Sequence, residues 1–92
     1  MQQLIAFLSK ASSDHRIGPH HIALYMGLFQ QWCKRNGKSP VPITQNQLRQ
    51  IAKIGRTTYH KCMRELEKYG YIKYLRSYSR VVESLVYLEH LQ

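Results

Sequence analysis

Arg56, Thr57, Thr58, His60, Lys61, Arg64 and Lys68 stand between Gly55 and Gly70 at spacings that a helix would gather. At ~100° per residue, Thr57, His60, Lys61, Arg64 and Lys68 fall within an arc of roughly 100°. Tyr59, Cys62, Met63, Leu66 and Tyr69 take the opposite side, so one face packs and the other is cationic. Arg56 and Arg64 can each offer two parallel donors, the geometry that matches guanine O6 and N7. Lys61 and Lys68 are point charges better suited to phosphates. Thr57 and Thr58 lie at the helix start, where hydroxyls and backbone N–H groups can hold a phosphate. His60 can donate or accept. The plain alternative is a solvated basic face, but such a face more often mixes charge signs. Here the helix's own acids, Glu65 and Glu67, sit at the flanks of the stripe.

Two further groups extend this chemistry. Thr44, Gln45 and Asn46 open the preceding helix and are placed to touch a sugar-phosphate backbone. Lys73, Arg76, Tyr78 and Arg80 belong to a basic, polar stretch near the C-terminus that could reach phosphates or insert an arginine into a narrow minor groove. A base-stacking platform built from Tyr69, Tyr71, Tyr74 and Tyr78 is the competing use of the same region. Half-buried strand positions account for several of these rings without it.

The elements that must position these groups are legible in order. Leu4, Ile5, Phe7 and Leu8 lie at helical spacing within residues 1–10, and residues 11–16 read as a polar connector. Gly18-Pro19 opens a helix expected to run to Arg35, with Asn36-Gly37 as its stop. Ile22, Tyr25, Met26, Phe29, Trp32 and Cys33 form its stripe, widened by Leu24 and Leu28. A face that wide needs two neighbours: the core, and either the N-terminal helix or a second subunit. Pro40 and Pro42 make residues 39–43 extended, at most a short edge strand. Thr44 and Gln47 fit a capping box for a helix to Lys53 that buries Leu48, Ile51 and Ala52. Gly55 is expected to break it, and the cationic helix follows to Tyr69. Residues 71–75 and 83–89 alternate as strands around a tip at 76–80. The expected fold is mostly α with a small β-hairpin, a winged helix-turn-helix with an extra N-terminal helical segment. Residues 1–16 form the extension and connector, and 17–92 the domain.

Composition excludes several classes. Ninety-two residues allow one small domain, and a 43% hydrophobic content argues against disorder. Fourteen Lys and Arg against five Asp and Glu give a formal charge of +9. Nine of those bases (Arg49, Lys53, Arg56, Lys61, Arg64, Lys68, Lys73, Arg76, Arg80) lie between residues 44 and 80 with only two acids, which suggests a polyanionic partner. There is no apolar run of membrane-spanning length and no signal-peptide pattern, so a cytoplasmic location and no membrane partner are expected. Cys33 and Cys62 read as small buried hydrophobes. His15, His20 and His21 lack a metal-binding motif, and no nucleotide, nucleophile or paired-carboxylate signature occurs. No catalysis, metal, cofactor or small-molecule effector is expected.

Three stretches add a resemblance: residues 21–30 (His-Ile-Ala-Leu-Tyr-Met-Gly-Leu-Phe-Gln), Lys53-Ile54-Gly55, and Thr58-Tyr59-His60-Lys61-Cys62 through Gly70-Tyr71-Ile72. They resemble small winged-helix proteins carried on conjugative and other mobile elements of bacteria, over residues 14–88. The resemblance implies a DNA-binding or transcriptional-regulator role, frequently as a dimer. Proteins of that kind often carry Pro, Asn and Gly in the wing, and residues 76–83 contain none of these. The expected function is therefore duplex-DNA binding by a regulator or accessory factor. The alternatives are a winged-helix module that docks on a recombination or replication protein, and an RNA or single-strand binder.

Overall fold

Residues 2–76 and 83–91 are described by a computed structural model. They form four helices, α1 (Gln2–Ser12), α2 (Pro19–Lys34), α3 (Gln45–Ala52) and α4 (Arg56–Lys68). The strands β1 (Val41–Ile43), β2 (Ile72–Leu75) and β3 (Ser84–Leu88) make one antiparallel sheet in the order β1-β3-β2. The expected β2–β3 hairpin pairs Ile72 with Leu88 and Leu75 with Leu85. The short edge strand is β1, with Val41 opposite Val86. Pro42 at its centre offers no donor, so that edge is a poor template for a further strand.

The helix ends follow local chemistry. At the end of α2, Asn36 and Gly37 both take positive φ, and the Gly37 amide donates to the Trp32 carbonyl at 3.0 Å. At the end of α4, Gly70 (φ 86°) donates to Glu67 O and Tyr71 donates to Leu66 O, the paired bonds of a Schellman stop. Thr44 Oγ1 accepts from the Gln47 amide at 3.3 Å. The return bond from the Gln47 side chain does not form, so half of the expected capping box is present. Between α3 and α4 it is Lys53, not Gly55, that takes the left-handed conformation, with φ 59° and ψ 44°. Gly55 has φ −79° and serves as the N-cap of α4.

The core joins all these elements. Leu24, Tyr25 and Leu28 of α2 pack with Leu48 of α3, Tyr59, Met63 and Leu66 of α4, and Val41, Ile43, Ile72 and Val86 of the sheet. Helix α1 belongs to the same core through Phe7 and Ala11, so it runs two residues into the expected connector. The Phe7 ring stacks on Tyr25 (centroids 3.7 Å apart, planes within 4°) and meets Tyr71 edge-on at 5.4 Å. Gln3 Nε2 donates to Tyr25 Oη and to the Glu89 carbonyl, tying α1 to α2 and to the end of β3. The second neighbour required by α2 is thus α1, at least along Tyr25.

Three packing expectations are corrected. The buried stripe of α2 is turned toward His21 and Leu24, leaving Met26 40% exposed and Cys33 exposed. The reason is His21, a polar residue that is buried because both ring nitrogens are bonded. Ile51 is 38% exposed. It lies over Gly27, where an added Cβ would come within 3.2 Å of Ile51 Cγ2, so one flank packs and the other meets solvent. Cys62 is buried as expected.

Replacing Phe7 with Ala should lower the unfolding free energy by about 3–5 kcal/mol. Ile5→Ala on the same helix, where Ile5 is 60% exposed, should change it by no more than about 0.5 kcal/mol. Urea denaturation of both variants checks this, and equal effects would place α1 outside the core.

Candidate nucleic-acid interface

Helix α4 starts at Gly55 without a side-chain cap, and its first turn contains no acid. Its leading N–H groups therefore point outward with the positive end of the helix dipole. A Cβ at Gly55 would meet nothing within 4 Å and its φ suits any residue, so neither packing nor backbone geometry requires glycine here. What glycine does provide is room for close approach to the helix start.

Along α4 the two sides separate as the spacing predicts. Tyr59, Cys62, Met63 and Leu66 are buried. Arg56, Thr57, Lys61, Arg64 and Lys68 are exposed, while Thr58 and His60 are half-buried. The His60 ring rests edge-on against Tyr59, with centroids 5.3 Å apart. Burial, and then the positive charges of Arg76, Arg56, Arg64 and Arg49, hold its imidazole below the ordinary range. Arginines of α3, of α4 and of the residue that follows β2 thus each act on the His60 charge.

Both acids of α4 are drawn off this face. Glu65 Oε1 lies 2.9 Å from His21 Nε2, and Glu65 Oε2 accepts from Tyr69 Oη at 3.4 Å. Glu67 Oε2 accepts from the Tyr74 amide of β2 at 2.9 Å. Among the described residues Arg16–Asp14 is the Lys/Arg–carboxylate ion pair within 4.0 Å, and His21–Glu65 is a hydrogen-bonded pair. At that distance, no lysine or arginine of α4 has a carboxylate among the described residues.

The His21 ring also explains a cluster that spacing did not reveal. His21, Cys62 and Glu65 bring one ligand-type atom each within 4.8 Å of the others. The Gly18 amide donates to His21 Nδ1 at 3.0 Å, which places the ring proton on Nε2, facing Glu65. That nitrogen then has no lone pair for a metal. Burial, and next the Glu65 charge, push the Cys62 thiol up, keeping it protonated. The His21–Glu65 pair is a hydrogen-bonded clip between α2 and α4, with the Cys62 thiol beside it.

A second clip lies alongside. Asp14 accepts from the Arg16 amide and guanidinium and from Tyr71 Oη at 2.9 Å. The Arg16 side chain holds the Asp14 carboxyl far below the usual carboxylate range. Burial, and then Asp14, push the Tyr71 phenol up to about 12. Arg16 lies over the Tyr69 ring at 4.1 Å, and Lys10 over Tyr71 at 4.5 Å. Tyr71 is fully buried and Tyr74 half-buried, so these rings serve packing rather than an open stacking surface.

The remaining expected residues are placed as follows. Thr44 and Asn46 are exposed and Gln45 half-buried at the start of α3. Lys73 is exposed on β2, and Arg76 is exposed just after it. Tyr78 and Arg80 lie outside the described residues. Sequence spacing missed Arg49 on α3, which contributes to the field at His60. Its signal was available as a base in the last turn of a short helix next to the tight turn.

The clip sets a pH dependence. Hydrogen bonding by His21 is the chief cause that lowers the Glu65 carboxyl from its ordinary value of 4.5. A depressed folded-state pKa stabilises the fold above the unfolded value, and that contribution fades as pH falls through the folded one. Asp14 acts in the same direction. The urea midpoint should therefore fall between neutral pH and about pH 3, with a shallower fall in Glu65→Gln. A flat or rising profile in the parent would contradict the clip.

Comparison with protein-family models, with curated proteins and with solved structures finds no match to this chain.

Proposed function

We propose that this chain is a winged-helix protein that binds double-stranded DNA, with α3 and α4 as the helix-turn-helix and the β2–β3 hairpin as the wing. One observation carries the reading: α4 exposes Arg56, Lys61, Arg64 and Lys68 while both of its acids are engaged elsewhere. A folded protein gains little by leaving four like charges on one helix face unpaired, whereas a polyanion converts them into counterion release. Thirteen residues make a rod about 20 Å long, and the major groove is wide enough to admit it. In this reading Arg56 and Arg64 address base edges, while Lys61, Lys68 and the first-turn groups of Thr57 and Thr58 address phosphates. In the same reading Thr44, Gln45 and Asn46 contact the flanking backbone, and Lys73 and Arg76 are the contacts at the base of the wing.

The biological role that fits is a transcriptional regulator or accessory factor of a mobile element, the role implied by the sequence resemblance. A single-strand or RNA platform is less well supported, since Tyr71 is buried and Tyr69 is engaged by Glu65 and Arg16.

Selection of bound duplexes from a random pool tests the reading, and the symmetry of an enriched motif reports whether two copies bind. Arg64→Ala should cost about 1–3 kcal/mol on the selected site and relax preference at one base pair. Lys61→Ala should weaken every sequence alike and lower the slope of log affinity against log salt by about one. A protein that enriches no duplex, or whose binding is indifferent to salt, would refute the proposal.

A further inference from the structure

His60 is the member of the cationic face to which duplex binding has so far given no part. It lies midway between Arg56 and Arg64, one helical turn from each, so the three side chains share a row along α4. Both arginines are exposed, while the imidazole is half-buried and rests edge-on against the Tyr59 ring. The charged and titratable groups around it come from three elements. Arg56 and Arg64 on α4, Arg49 on α3 and Arg76 after β2 are all permanently positive. The Tyr59 phenol, which interacts with Tyr74 of β2, stays neutral because burial pushes it up. Glu67 lies two turns further along α4 and gives Oε2 to the Tyr74 amide. Among the described residues no carboxylate comes within 4.0 Å of the imidazole. Burial and like charge therefore both favour the neutral ring in the free protein.

A docked duplex reverses the sign of those surroundings. The major groove is about 12 Å wide, so the phosphates of both walls stand within roughly one screening length (~10 Å at 0.1 M salt) of a ring on the inserted face. Negative charge at that range favours the protonated ring. The groove floor acts the same way. Guanine presents two acceptors there, N7 and O6, while adenine and thymine present one each. A neutral imidazole has one N–H, whereas the imidazolium has two, so the charged form keeps partners when water is displaced. We propose, on the basis of the duplex-binding reading, that docking of α4 on DNA is coupled to uptake of one proton by His60, so that the protein holds DNA more tightly as the pH falls below neutral. A group that titrates at higher pH in the complex than in the free protein strengthens binding on the acid side. The gain is complete below the free midpoint and absent above the bound one. The clip carboxylates of Asp14 and Glu65 are held low, so they stay ionised above about pH 5.5 and the fold is unchanged over the range in which His60 titrates.

The test measures affinity for a selected duplex at constant salt between about pH 8 and about pH 5.5. It uses the parent chain, His60→Gln, and a control in which the exposed His15 and His20 are both replaced by Gln. The parent should bind on the order of tenfold more tightly at the acid end, the factor given by a titration midpoint about one pH unit higher in the complex. His60→Gln should bind with nearly equal strength at both ends, and the His15, His20 control should keep the parent's slope. A second measurement needs no variant and decides the matter even where His60→Gln fails to fold. The His60 ring resonances of the parent should titrate below the ordinary value of 6.5 in the free chain and at higher pH with the duplex bound. A His60 midpoint that is the same with and without duplex, a parent affinity indifferent to pH, or a parent-like slope in His60→Gln would overturn the coupling while leaving duplex binding intact. A parent that binds no duplex at any of these pH values would refute the duplex-binding reading, and the coupling with it.

Discussion

The hydrogen bond between His21 and Glu65, 2.9 Å long and spanning 44 positions of chain, governs how α4 presents itself. It turns a carboxylate of the cationic helix toward the core and fixes the roll of α4 against α2. The same histidine, through Nδ1, accepts the Gly18 amide and so ties the start of α2 to the arrangement. Glu67 repeats the device on the other flank by accepting from the Tyr74 amide of β2. With both acids engaged, the charges of Arg56, Lys61, Arg64 and Lys68 remain available to a partner. Buried polar groups of this kind are costly unless fully bonded, and His21 is bonded at both nitrogens.

This arrangement connects stability to the exposed face. The clips at His21–Glu65 and at Asp14–Arg16–Tyr71 both join the segment around residues 14–21 to α4 or to the residues that follow it. Helix α1 completes the support by stacking Phe7 on Tyr25 and setting it edge-on to Tyr71. The end of α4 is thus held from three directions, while its beginning is left uncapped beside a glycine with open space around it. A rigid rear and an open front are what a helix needs if its first turns are to meet a ligand without moving.

Much of this was legible in the residues themselves. Periodicity together with start and stop signals found the four helices of the described residues, the change of period found the two strands of the hairpin, and the division of α4 into a packed and a cationic side followed from spacing alone. What spacing could not show depends on distant partners. His21 looked polar, so the stripe of α2 was centred too near Met26 and Cys33. Its burial follows from Glu65, which is remote in sequence. Ile51 looked like core, but Gly27 lets it ride at an edge. Gly55 looked like the breaker, yet Lys53 adopts the left-handed turn and glycine is left at the N-cap. Arg49 was counted among the bases of residues 44–80 but not singled out, and the burial of its Nε exists only in three dimensions.

The central claim is that the exposed side of α4 is the surface that meets duplex DNA. Amide chemical-shift mapping of the labelled chain, titrated with a short duplex at low and high salt, tests it most directly. The account predicts that the shifted resonances cluster between Gly55 and Lys68 and around Arg76, and that they return toward their free positions as salt rises. Shifts confined to α1 and the exposed edge of α2, with α4 unmoved, would contradict it.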